Sequence, residues 1–212
     1  MLTAHIRTWL EQALTILTRT NMVRYLFHIQ KVAAGWEVAS HGYRWIDYQN
    51  VDEATERAHI AKTVAIHQEL LGHRPVGLYQ GKPNKNTRRL VVEEGGFLYD
   101  SDSYADDLPY WNYEHGRPHL IVPYTLSEND MRFATPNGFS NGDEFFAMLK
   151  DSLDFLLEEG HSGHCSMMSV GLHCRLAGRP GRAAGLQKFL AHVQQLGDSV
   201  WVCRQDEIAQ HW

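Results

Sequence analysis

Short apolar runs alternate with stretches of helical periodicity along nearly all of this 212-residue chain. That alternation limits the fold more than any other feature, because strand–helix–strand order is what a parallel sheet with crossover helices requires. Helices are expected over Met1–Thr20, Asp52–Leu71, Asn86–Glu94, Asn141–Glu159, Pro180–Leu196 and, briefly, Gln205–Trp212. Strands are expected over Met22–Ile29, Trp36–Ser40, Val76–Tyr79, Phe97–Asp100, His119–Tyr124, Met167–His173 and Val200–Cys203. Ile6, Trp9, Leu10, Ala13, Leu14 and Leu17 mark one apolar stripe. Ala54, Ala58, Ala61, Val64, Ala65 and Leu71 are spaced for a second, and Phe145, Leu149, Leu153 and Leu156 for a third. Gly72 with Pro75, and then Gly95-Gly96, act as helix stops. Residues 101–117 read as a polar, aromatic loop longer than a simple connector. No linker, repeat or shift in composition divides the chain, so one α/β domain over residues 1–212 is expected.

Composition narrows the function classes. With 43% hydrophobic and 21% charged residues the chain can bury a normal core, which excludes a disordered protein. A net charge of -5 without a Lys/Arg run gives no footprint for nucleic acid and disfavours anionic membranes. No stretch approaches the apolar length of a spanning helix. Glu11 and its polar neighbours interrupt any secretion signal. The three cysteines, Cys165, Cys174 and Cys203, form no CxxC pair and suit a reducing compartment. Thirteen His, six Trp and nine Tyr supply groups that do chemistry or stack on ligands.

The informative residues fall where expected strands end. His173 closes the run Met167–Leu172 and precedes an Arg/Gly loop containing Arg175 and Arg179, a suitable setting for proton transfer. A histidine merely bonded to a loop carbonyl is the structural alternative. His41 opens Ser-His-Gly-Tyr-Arg-Trp-Ile-Asp-Tyr-Gln49, which gathers an imidazole, the Arg44 guanidinium, Trp45 and other aromatic rings, and a carboxylate. It is either a binding segment or an aromatic packing corner. Tyr99-Asp-Ser-Asp-Ser-Tyr-Ala-Asp-Asp107, running on to Trp111, offers carboxylates that could act as a base or orient a partner, or else form a solvated acidic turn.

Common signatures are absent: there is no GxGxxG, GxxxxGK[ST], HExxH or GxSxG. His161, His164 and Cys165 have ligand-like spacing, but an expected strand separates them from His173 and Cys174, so no metal site is assigned. Four residues after His41 stands Trp45, which leaves no paired imidazole there.

From about Gly35 to Trp212 the chain resembles the polysaccharide deacetylase (NodB-homology) superfamily, and within it the cofactor-independent allantoinases of purine catabolism. The phrases that carry the resemblance are the His41 segment, Arg74-Pro-Val-Gly-Leu-Tyr79, Asn86-Thr-Arg-Arg89, Glu93-Glu-Gly-Gly-Phe-Leu-Tyr-Asp-Ser-Asp102, Asp106-Asp-Leu-Pro-Tyr-Trp111, Pro123-Tyr-Thr-Leu126, Asn129-Asp-Met-Arg-Phe133 and Gly171-Leu-His-Cys-Arg-Leu176 with Gly178-Arg-Pro180.

The resemblance implies a distorted, incomplete (β/α) barrel and a cytoplasmic, homo-oligomeric hydrolase that opens the hydantoin ring of allantoin to allantoate. It implies that His41 matches the first histidine of the superfamily's His-x-x-x-His metal pair while Trp45 replaces the second, so no cofactor is expected. His173 falls on the Leu-x-His motif as general acid. Arg74 and Tyr79 fall on the Arg-Pro motif at the site's floor, and residues 102–111 on the motif whose acid orients a catalytic partner. Asp102 or Asp107 would then serve as base. His41, Arg44, Trp45, Tyr79, Trp111, Arg175 and Arg179 would bind a small ureide. The family's opening strand, with its acidic pair, has no counterpart in residues 1–34, so a shortened chain is expected. Two alternatives stand beside this reading: a metal-dependent carbohydrate N-deacetylase, and a non-catalytic relative that only binds a ureide or a full-length partner.

Overall fold

The structure, a computed structural model, describes residues 34–212. The helix expected over Met1–Thr20 and the strand over Met22–Ile29 lie outside the described residues. The described chain divides into two compact units, residues 34–124 with 203–212, and residues 125–202.

In the first unit, α1 (Glu53–Leu71) begins where the Asp52 carboxylate accepts the Thr55 N–H at 2.9 Å and ends at Gly72, whose φ of 77° is the left-handed stop. The face it buries is not the alanine stripe. Glu56, Ile60 and Thr63 are buried, whereas Ala54, Ala58, Ala61 and Ala65 face solvent. Two buried polar groups reverse the periodicity argument here. The Thr87 hydroxyl donates to the Glu56 carboxylate, a bond that fixes which side of the helix faces inward. On the outer edge Arg57, Glu53, Arg89 and Glu93 form a ladder of exposed ion pairs between α1 and α2 (Thr87–Glu94). Solvated pairs of this kind contribute about 0–1 kcal/mol each.

Four short strands, β1 (Gly77–Leu78), β2 (Tyr99–Asp100), β3 (Tyr110–Asn112) and β4 (His119–Ile121), form an open sheet in the order β1-β2-β4-β3. β1, β2 and β4 run parallel, and β3 returns antiparallel to β4. β3 lies inside the segment expected to be loop, because its Tyr-Trp-Asn run carries no alternation to announce a strand. Of Trp36–Ser40, only Ser40 pairs, as a parallel bridge to Leu78. Ile60, Leu78, Leu90, Val91 and Phe97 make this unit's core. The helix α6 (Gln205–His211) also belongs to it: the Glu37 carboxylate accepts from the Asp206 N–H and from the Tyr99 hydroxyl.

The second unit is helical. A 3₁₀ turn (Asp130–Ala134) leads to α3 (Gly142–His161), followed by α4 (Cys174–Ala177) and α5 (Pro180–Leu196). The strands expected over Met167–His173 and Val200–Cys203 do not form among the described residues. Only Gly171 bridges, to Asn129, and Met168, Val170 and Val200 pack against the helices instead. Phe145, Leu149 and Leu153 of α3 interlock with Leu186, Phe189 and Val193 of α5, each fully buried apolar side chain contributing about 1.5–3 kcal/mol.

The two helices meet through glycines. A Cβ on Gly185 would collide with the Gly142 carbonyl, and one on Gly142 with the Gly181 carbonyl. Gly185→Val should therefore force α3 and α5 apart and destabilise the protein by about 1–3 kcal/mol. Urea unfolding should show this as a lowered midpoint at unchanged m.

Candidate functional site

In the first unit, the chain leaves β1 and turns at Gln80-Gly81, where Gly81 has the left-handed φ of 83°. The backbone N–H groups of Gln80 and Gly81 both donate, at 2.7 Å, to the Asp102 carboxylate just beyond β2. Burial raises the Asp102 pKa to about 6, against the opposing pull of those amide bonds, and the nearby Asp100 charge adds to the rise. The group is thus a carboxylate set to exchange a proton near neutrality.

Around the same turn, His41 Nδ1–H donates to the Tyr79 carbonyl at 2.6 Å, and the His41 and Tyr79 rings lie 5.1 Å apart. The Tyr79 hydroxyl meets that of Tyr104 at 2.9 Å, and its ring lies 4.4 Å from Tyr124. Burial raises the Tyr79 pKa, and Tyr104 adds to it, so this phenol stays protonated. A Cβ at Gly81 would sit 3.2 Å from His41 Cε1 and 3.5 Å from Trp45 Nε1, so these side chains converge on the turn. Trp45 is 65% exposed with Lys82 Nζ 5.0 Å over its ring, a flat apolar face open to a ligand.

Asp102, His41, Tyr79 and Trp45 therefore gather around one turn. Three other candidates do not join them. Asp107 is exposed in a turn whose N–H groups Asp106 accepts, Arg44 lies 5.5 Å over Tyr43, and Trp111 is half-exposed on β3. Among the described residues no hydrogen bond or ring contact links them to Asp102. Arg74 is also displaced from its expected place: it precedes β1, at the end opposite Tyr79, and pairs with Glu94 at 2.5 Å.

In the second unit, His173 does not end a strand but caps the start of α4. Its Nδ1–H donates to Asp130 Oδ1 at 2.6 Å, while the His173 and Ala177 backbone N–H groups donate to Asp130 Oδ2 at 2.7 and 3.0 Å. Asp130 is fully buried. The Asn129–Gly171 bridge sets it there, through Asp130 N–H on the Gly171 carbonyl at 3.0 Å. A carboxylate on Nδ1 fixes the tautomer and leaves Nε2 as the working nitrogen, on a side chain 29% exposed. Arg175 and Arg179 are exposed on the same segment.

No partner for His173 is named by the sequence reading, and the structure supplies Asp130. Its signal lay in the phrase Asn129-Asp-Met-Arg-Phe133, to which sequence reasoning attached no role. Tyr104 and Tyr124 lie in the quoted segments Tyr99–Asp107 and Pro123–Leu126, but no role was attached to either ring.

The donor set does not fit the metal that the wider superfamily implies. Trp45 brings an indole with no lone pair to the position of the second imidazole, and no three His, Cys, Asp or Glu side chains gather to hold an ion among the described residues. No helix among the described residues is long and apolar enough to cross a membrane.

Each unit thus carries a group suited to proton transfer, Asp102 beyond β2 in the first and His173 at the start of α4 in the second. No family profile matches the sequence, but individual proteins do. A Schizosaccharomyces pombe protein provisionally named a polysaccharide deacetylase is 44% identical over 195 residues, which cover 84% of this chain and 61% of that protein. The crystal structure of Puue allantoinase matches with a TM-score of 0.85 at 53% identity, covering 89% of this chain and 63% of that one. A Pseudomonas aeruginosa PAO1 structure, also provisionally a polysaccharide deacetylase, matches with a TM-score of 0.83 at 48% identity, covering 98% of this chain and 72% of that one. The chain belongs to the polysaccharide deacetylase family, whose fold is a distorted (β/α) barrel and whose chemistry is hydrolytic. It spans less than two thirds of the S. pombe protein and of the allantoinase, and its sheet is not closed among the described residues.

Proposed function

We propose that this chain is a hydrolase of cyclic amides, opening the hydantoin ring of allantoin to allantoate without a metal. The observation that carries the reading is Trp45: beside His41, an aromatic face stands where a metal pair needs its second imidazole. The 53% identity to Puue allantoinase supports it.

Ring opening needs a base and an acid. Asp102, with its raised proton affinity, has the properties of the base that takes a proton from the attacking water. The water oxygen bonds to the ring carbonyl carbon, the C–N bond breaks, and the departing nitrogen takes up a proton; His173 Nε2, in the second unit, has the properties of an acid that supplies one. Asp130 stabilises the imidazolium until that proton is given up. Within the first unit Tyr79 and Trp45 offer flat faces of the kind a planar ring stacks on; within the second, Arg175 and Arg179 are forked donors of the kind that suits carbonyl oxygens.

The purified chain should release allantoate from allantoin at a rate that a chelator leaves unchanged. The names of the S. pombe and P. aeruginosa relatives favour a second reading, a carbohydrate N-deacetylase. Acetate release from N-acetylglucosamine oligomers, abolished by chelation and restored by zinc, would replace the first reading with that one.

A further inference from the structure

Beneath Asp102 lies a buried charged network that the proposed chemistry leaves unused. Asp100, 2% exposed on β2, accepts from Arg88 Nε at 3.0 Å and Nη2 at 3.2 Å, from His119 Nε2 at 3.1 Å, and from the Asp102 backbone N–H at 3.0 Å. Arg88 Nη2 also donates to the Asp102 carbonyl at 3.0 Å. Asp100 and its Arg88 fork therefore hold the peptide groups on both sides of Asp102, while its carboxylate is gripped by Gln80 and Gly81.

We infer that Asp100 is a positioning residue, which with Arg88 and His119 fixes Asp102 against the Gln80-Gly81 turn and sets the charge that Asp102 feels. The inference rests on the reading of Asp102 as the base. Three elements contribute: β2 carries Asp100, α2 carries Arg88 and β4 carries His119. A sheet that needed only packing at this depth would be cheaper to build from apolar side chains, since buried ion pairs seldom raise stability. What the ions do here is hold two specific peptide groups. The charges facing Asp102 are Asp100 and Arg88, with the neutral Tyr79 phenol at the end of β1.

Asp100 and Arg88 act on Asp102 with opposite sign, which gives a test that lost packing cannot imitate. Carbon-13 NMR of aspartate-labelled protein, with Asp102 assigned by its loss in Asp102→Asn, should show Asp102 titrating near 6 in the native chain. Asp100→Asn removes a like charge and should move that midpoint about one pH unit lower. Arg88→Gln removes an opposite charge and should move it about one unit higher. In allantoin hydrolysis both variants should lower kcat more than they change KM, and the acidic limb of the rate profile should shift in the same two directions. A midpoint unmoved in both variants, or moved the same way in both, overturns the inference. If Asp100→Asn does not fold, Arg88→Gln decides by itself, an upward shift supporting the inference and no shift overturning it. Full turnover in Asp102→Asn would remove the base reading instead, and the NMR midpoints would still judge Asp100.

Discussion

His173→Ala should lower kcat for allantoin opening by about 10²- to 10⁴-fold, the usual contribution of one positioned acid or base. KM should change little, because the imidazole acts on a nitrogen that becomes basic only as the C–N bond breaks. Asp130→Asn should come close to the same loss by a different route. The carboxylate now accepts His173 Nδ1–H on one oxygen and two backbone N–H groups on the other. An amide has one acceptor oxygen for these donors. Whichever way it sits, its NH₂ faces an N–H: either the backbone pair loses its acceptor, or the imidazole is driven to the tautomer with its proton on Nε2. Leaving a buried N–H unpaired costs about 1–3 kcal/mol, so Asp130→Asn should also be less stable than His173→Ala. Steady-state rates together with urea midpoints separate the two effects. A His173→Ala protein with native turnover would remove His173 from the chemistry altogether.

Much of the fold was legible because local rules and tertiary packing agreed. Asp52 and Asn141 are short polar side chains that accept the first free N–H groups of α1 and α3, and Gly72 and Gly95 take the left-handed conformation that ends α1 and α2. Pro180 starts α5 at the position where a missing N–H costs nothing. Legibility failed where a polar contact outweighed periodicity. Four alanines look like a buried stripe, yet Glu56 faces inward because Thr87 meets it there. Met167–His173 reads as a strand by its apolar residues, but it forms a single bridge, and its Met168 and Val170 side chains pack on the core of α3 and α5. The site divides in the same way. His41, Trp45, Tyr79 and Asp102 could be found because unusual residue types crowd a strand end. Asp130 could not, because its pairing with His173 spans 43 residues and depends on one bridge and one short helix. A long-range pair of ordinary residues leaves no local pattern.

Asp102→Asn should be the other large loss, again about 10²- to 10⁴-fold in kcat, and its pH signature identifies the cause. Asp102 must be ionised to accept a proton from water, and burial holds its pKa at about 6. Activity should therefore be full above that value and fall about tenfold per unit below it, as the base fills with protons. An unperturbed carboxylate would place the same limb near 4. In Asp102→Asn the residual rate should lose this limb, because the amide does not titrate in the range. The substitution also leaves one of the two Gln80 and Gly81 N–H groups without its acceptor, so the turn that holds Tyr79 and Trp45 should loosen and KM should rise with the fall in kcat. Asp107→Asn, on an exposed turn away from these amides, should keep both the rate and the limb. A limb that persisted near 6 in Asp102→Asn and vanished in Asp107→Asn would transfer the base to Asp107 and leave Asp102 as the anchor of the turn.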